Sequence, residues 1–184
     1  MFVLYALPVG IALGYLLGGR LEALGDLRFR WAPLAIAGLI VQIALFAEPV
    51  ATSVGQAGPP IYIASTAAVL VAVLRNRALP GMLVTALGAA SNLVAIIANG
   101  GVMPASPEAI AGLGPGGEGF SNSVVVADPA LRPLTDVFVL PAWVPFANVF
   151  SVGDVLIGIG VALVIAFGMR GQRPLAVRRG TSPD

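Results

Sequence analysis

The 184-residue chain contains no cysteine, no histidine and no lysine. Without cysteine there is no disulfide framework and no thiolate chemistry, whatever the compartment. Without histidine the commonest general base is missing, together with the usual ligand of zinc and haem. Without lysine no Schiff base can form, which excludes a covalently attached retinal or pyridoxal. Asp, Glu, Tyr and Arg remain for acid–base work, so neither a metal nor a cofactor is expected. Charge is scarce as well, at 10% of residues, against about 25% in ordinary soluble domains. A net charge of +1 offers nothing to draw a nucleic acid.

What the chain does have is apolar surface. It is 58% hydrophobic, with a mean hydropathy of +0.94, more than a soluble fold of this size can hide. A lipid bilayer is therefore the expected solvent and the first expected partner. Long apolar runs alternate with short loops, and nine of the ten arginines sit in three of those loops: Arg20, Arg28 and Arg30; Arg75 and Arg77; Arg170, Arg173, Arg178 and Arg179. Five spans placed between the clusters, at about 2–18, 31–47, 60–74, 79–98 and 152–169, bring all nine to one side. Cytoplasmic loops carry the Lys/Arg excess. The expectation is thus a single all-α domain, a polytopic transmembrane bundle in the bacterial inner membrane. Its N-terminus lies outside, and a basic tail (170–184) lies in the cytoplasm. Met1–Leu7 carry no positive charge, so the first apolar run reads as a retained span and not as a signal peptide.

Each span carries its own marks. In the first, Pro8 is a potential kink, and Gly10, Gly14 and Gly18 share one helix face. That stripe predicts close approach of another helix, because lipid supplies no hydrophobic drive between helices and contact must supply the packing. Leucines 21, 24 and 27 keep helical spacing in the following loop, which suits an interfacial position. Trp31 anchors the second span at head-group level, and Gln42 is its internal polar residue. Residues 48–60 read as an outside loop. The third span is the shortest: about 15 residues reach about 22 Å, against a hydrocarbon core of roughly 30 Å. The fourth carries Thr85, Ser91 and Asn92 and stops at Ala-Asn-Gly-Gly, 98–101. Ser151-Val-Gly-Asp154 fits a capping box at the start of the fifth.

Residues 101–150 form the longest connection, and a loop of that length is usually functional or disordered. Val124–Val126, Val137–Leu140, Trp143, Phe146 and Phe150 make it too apolar for a solvated linker. Ser106-Pro107-Glu108 reads as a helix start, Asp128-Pro129 as a second start running to Leu134, and Gly112–Gly119 as the flexible portion. An ordered cap over the outer span ends is expected, dipping into the interface through Trp143 and Phe146. Asn99, Asp136, Asn148 and Asp154 would line a ligand or partner site between cap and spans. The alternative is that each serves its own turn or helix end, which for Asp154 the capping box with Ser151 already explains.

The run Asn99-Gly-Gly-Val-Met-Pro-Ala-Ser-Pro-Glu-Ala109, followed by Asn148-Val-Phe-Ser-Val-Gly-Asp-Val-Leu-Ile157, resembles a bacterial family of small polytopic membrane proteins, domain of unknown function 5317. The arginine-rich loop before Trp31 is similar too, so the resemblance spans nearly the whole chain. It implies a multi-span membrane fold and no particular activity. The family pattern often carries a histidine ahead of the stretch near Val124, where this chain has Asn122-Ser123, which counts against a metal or proton role there.

Three functions follow from these marks. The first is a non-enzymatic accessory or scaffolding subunit, with a membrane-protein partner or a second copy of itself. The second is a small transporter or channel component for a neutral solute, since intramembrane charges mark ion pathways and the span centres hold none. The third is a membrane-embedded aspartyl hydrolase, because Gly153-Asp154 with Asp136 could pair carboxylates. Against the third, Ser151 stands where a Gly-x-Gly-Asp motif would begin, and Asp154 sits at the outer mouth.

Overall fold

The computed structural model describes residues 2–113 and 123–171. The described residues are mostly helical, at 65%, and include seven α-helices. Five run between two ends: α1 (Ala6–Leu16), α2 (Ala32–Leu45), α4 (Gly58–Arg75), α5 (Met82–Ala98) and α7 (Val152–Gly168). Two are short: α3 (Val50–Val54) and α6 (Pro107–Leu113). Pro33 and the Pro59-Pro60 pair fall in first turns, where the missing N–H has no intrahelical partner to lose.

The long helices lie side by side in the order α1–α7–α5–α4–α2, so the last in sequence is inserted beside the first. One end collects arginine loops. There the Arg20 N–H donates to Met169 O (2.8 Å), the Arg30 N–H donates to Asn76 Oδ1 (2.7 Å), and the Arg75 guanidinium lies over the Trp31 ring. The other end carries the 101–150 segment: Phe2 stacks on Phe150 at 4.4 Å, and the Tyr5 hydroxyl donates to Pro145 O. Arg173, Arg178 and Arg179 lie outside the described residues, as does the tail from residue 172 onward.

Several expectations are corrected. The fold is not purely α, because the described part of the 101–150 segment holds four three-residue strands. β1 (Met103–Ala105) pairs in parallel with β2 (Ser123–Val125), and β3 (Phe138–Leu140) pairs antiparallel with β4 (Asn148–Phe150). Asp128-Pro129 starts no α-helix; one 3₁₀ turn forms at Arg132–Leu134. Gly112 and Leu113 belong to α6, and Gly114–Gly119 lie outside the described residues. Residues 50–57 are helical where a loop was expected, so the shortest span by sequence becomes the longest helical run, Val50–Arg75, 26 residues. That run is long and apolar enough to cross a membrane; Phe2–Leu16, Ala32–Leu45, Met82–Ala98 and Val152–Gly168 are apolar but shorter.

α7 is packed by glycine on both flanks. Toward α1, a Cβ on Gly10 would come within 2.9 Å of Ala162 O, and one on Gly14 would overlap the Met169 side chain. Gly18, expected to complete this stripe, does not pack. It turns the chain at φ +74° with nothing near it, and Gly19 meets Met169 instead. Toward α5, Gly81 and Gly88 face Gly160 and Gly153, two pairs at seven-residue spacing. There the backbones themselves touch: a Cβ on Gly88 would overlap Gly153 O, and one on Gly160 would overlap Thr85. Gly88→Ala and Gly160→Ala are each expected to destabilise the fold by about 1–3 kcal/mol, the usual cost of overpacking a closed interface. Gly25→Ala, with open space at its Cβ, should leave the thermal midpoint in detergent unchanged. Equal midpoints for all three would refute the packing.

Candidate functional site

The outer end of the α5–α7 contact carries the densest polar cluster. Ser151 is fully buried and caps α7: its Oγ accepts from the Asp154 N–H (3.0 Å), and its own N–H donates to Asp154 Oδ2 (3.0 Å). This closes the capping box that the Ser-x-x-Asp spacing foretells. Asn92 of α5 joins it from across the interface. Its Nδ2 donates to Asp154 Oδ1 (3.0 Å), and its Oδ1 lies 2.9 Å from the Ser151 hydroxyl. That hydroxyl is also 3.1 Å from Asp154 Oδ2, so its single proton has two acceptors in reach. The docking needs Gly153, because a Cβ there would overlap Asn92 Oδ1.

Asp136 approaches from the cap. Its backbone is clamped beside β1: its N–H donates to Pro104 O (2.9 Å), and its carbonyl accepts from the Ser106 N–H (3.1 Å). The clamp holds the carboxyl inside, at 3% exposure. Ser123 donates to Oδ2, and Oδ1 is buried with no hydrogen-bond partner. Burial raises its pKa to about 7; the Ser123 hydroxyl opposes that rise, and the negative charge of Asp154 adds to it. The two aspartates therefore feel one another across the cap–helix junction.

Of the four residues expected to line a site, Asp154 is held by Asn92 and Ser151, and Asp136 feels its charge. Asn99 is spent elsewhere: its Nδ2 donates to Ala95 O (2.8 Å) and Ala130 O (2.9 Å), and its Oδ1 accepts from the Ala130 N–H (2.9 Å). It ties the end of α5 to the cap, about 10 Å along the helix from Asn92. Asn148 sits opposite Leu140 in the hairpin. Its Nδ2 bonds Val149 O (2.7 Å), and its Oδ1 is buried and unpartnered. The residue missing from that set is Asn92, a polar side chain inside an apolar run. The spacing Gly88-x-x-x-Asn92 on α5 was its available signal. Ser106 caps α6 by accepting from the Ala109 N–H (3.0 Å). Arg132, the one arginine outside the three clusters, lies 3.8 Å from Glu108 in a largely exposed pair that contributes little. Among the described residues, no cluster of three or more metal-ligating side chains occurs.

Two outcomes follow. The folded state holds the Asp136 proton more tightly than the unfolded chain, whose carboxyl ionises near 3.8. Below that value both states are protonated and nothing is lost. As pH rises from about 3.8 to about 7 the unfolded chain is ionised first, so stability falls with pH across this window. Asp136→Asn should flatten that slope in thermal unfolding measured from pH 4 to pH 8; an unchanged slope would remove Asp136 as its source. Ser151→Ala should cost about 1 kcal/mol of capping. Combined with Asn92→Ala it should cost less than the sum, since both act on one network. Strict additivity would show that Asn92 and the cap are independent.

No curated protein and no solved structure matches the chain. The model of a family of unknown function, DUF5317, matches residues 26–166, and the chain belongs to that family.

Proposed function

We propose that the protein is a five-span membrane protein of the bacterial cytoplasmic membrane that acts as a non-enzymatic accessory or scaffolding subunit, its cap outside and its arginine end in the cytoplasm. The observation that carries this reading is an inside-out distribution of side-chain size. Helix faces turned away from the bundle carry large apolar residues: Ile36, Leu39, Ile40 and Ile43 on α2, and Leu83, Leu87, Val94 and Ile97 on α5 are all exposed. The faces turned inward carry Gly14, Gly153 and Gly160 with Ala72, Ala89, Ala95, Ala162 and Ala166. Soluble monomers rarely expose apolar patches of such extent, and small residues at the contacts suit helices packed in lipid. The four shorter helices, at 1.5 Å per residue, reach roughly 20–26 Å, which a thinned bilayer or flanking interfacial residues accommodate.

The scaffolding role rests on how the internal polar groups are used. Gln42 reaches Thr66 across the α2–α4 contact (3.3 Å). Ser65, Thr66 and Thr85 bond backbone carbonyls of their own helices. The Gln42–Thr66 pair joins two helices and the three hydroxyls are engaged by their own backbone, which weighs against a polar path for a solute. Both carboxylate oxygens of Asp154 are engaged by Asn92 and Ser151, which weighs against a hydrolase. Ser53→Cys and Ser121→Cys should label with an impermeant thiol reagent from outside, and Ser182→Cys only from the cytoplasm; the chain has no native cysteine to interfere. Cytoplasmic labelling at position 53 would sink the arrangement. Isolation from native membranes should yield a stoichiometric membrane-protein partner. Recovery solely as a monomer or homo-oligomer would overturn the accessory role.

A further inference from the structure

A cavity of about 340 Å³ opens at the arginine end, far from the Asn92–Asp154 cluster. It lies where the 3₁₀ turn at Leu21–Asp26 folds back onto the last turn of α7. Leu24 and Leu27 hold that turn in place, since even a Cβ on Gly168 would come within 2.5 Å of Leu27. Leu27, Leu79, Val164 and Phe167 make its walls apolar. Two charges line it, Asp26 and Arg170. They form no ion pair with each other or with any other described residue. A pocket with apolar walls and two unlike, unspent charges is complementary to a ligand that bears both charges and an apolar extension. Its volume lies in the range of small-molecule sites, roughly 300–1,000 Å³, enough for a head group and the start of one chain.

We propose that this cavity binds a zwitterionic phospholipid, its phosphate on Arg170, its primary ammonium on Asp26 and its acyl chain leaving along Phe167. The proposal rests on the membrane reading above, which sets the arginine end at the inner head-group layer. Guanidinium offers a planar fork of donors to phosphate oxygens. A carboxylate accepts hydrogen bonds from a primary ammonium, and a quaternary one has no N–H to give. Asp26 therefore selects for an ethanolamine head group over a choline one. It also repels a head group whose only charge is negative, although the remaining arginines of this end attract such lipids without shape. Phe167 is 38% exposed, so the apolar wall continues onto the helix surface where a chain can follow it.

The test is native mass spectrometry of the delipidated full-length protein in mild detergent. It is titrated separately with phosphatidylethanolamine, phosphatidylcholine, phosphatidylglycerol and chain-free glycerophosphoethanolamine. One phosphatidylethanolamine should be retained in preference to the other three. Asp26→Asn and Arg170→Gln should each weaken its retention on the order of tenfold, the loss of one charge-assisted contact. Arg77→Gln, at the same end but outside the cavity, should retain it. Equal retention of the choline lipid, preference for the glycerol lipid, equal binding of the chain-free head group, or indifference to Asp26→Asn would each overturn the proposal. Cysteine labelling separates the two failures: lost selectivity with the expected labelling removes the lipid site alone, whereas position 53 labelled from the cytoplasm removes the membrane arrangement beneath it.

Discussion

The structure depends on α7 being able to touch two helices with its backbone. Gly153 and Gly160 meet α5, and Ala162 and Met169 meet the glycines of α1. Close approach of this kind draws its stability from many short van der Waals contacts and loses it quickly with separation, because dispersion falls steeply over a fraction of an ångström. Bulky side chains at those positions would hold the helices apart and forfeit the contacts along their whole length. In the bilayer setting proposed for this protein the hydrophobic effect would not draw the helices together, since lipid is as apolar as leucine, so packing contacts and inter-helix hydrogen bonds carry the association.

The outer polar cluster follows from the same approach. Asn92 can bond both Ser151 and Asp154 because the residue between them and α5 is Gly153. The network is thus a lock on the helix contact as well as a helix cap. Asp136 lies in the neighbouring cap segment, held by backbone bonds to Pro104 and Ser106, where it feels the Asp154 charge. A buried carboxyl that also feels a second one is costly to ionise, so the junction between cap and bundle responds to pH near neutrality through Asp136. A partner that docks on the outer face would meet this junction.

The two ends of the bundle differ in chemistry. One is rich in arginine, with Trp31 beneath Arg75 and the Asp26–Arg170 cavity between a turn and α7. The other is closed by the cap, with Phe2, Phe138 and Phe150 stacked in series and Trp143 at 84% exposure. Family membership adds no activity to this polarity.

Local features were legible in the chain. Ser151 and Asp154 announce their capping box because both partners lie within one turn. The apolar runs announce helices, and Gly10 and Gly14 announce a contact face, because these depend on spacing along one segment. Other features waited for the tertiary structure. Gly18 follows the same four-residue spacing, yet lies past the helix end, where it bends the chain. The helix at 50–57 hid behind Gly58-Pro59-Pro60, which punctuates a loop and a helix start equally well. Strands of three residues carry too little pattern to be seen before their partners are known. The site was half legible: Asp136 and Asp154 are rare charges in an apolar chain, and rarity drew attention to them. That Asn92 joins Ser151 and Asp154 depends on which helix α7 lies against. Sequence alone determined the long apolar helices and the gathering of arginine in a few short stretches, because those are properties of neighbours along the chain. Only the fold decided which polar groups meet, because hydrogen bonds between segments 60 positions apart require the backbones to be brought together first.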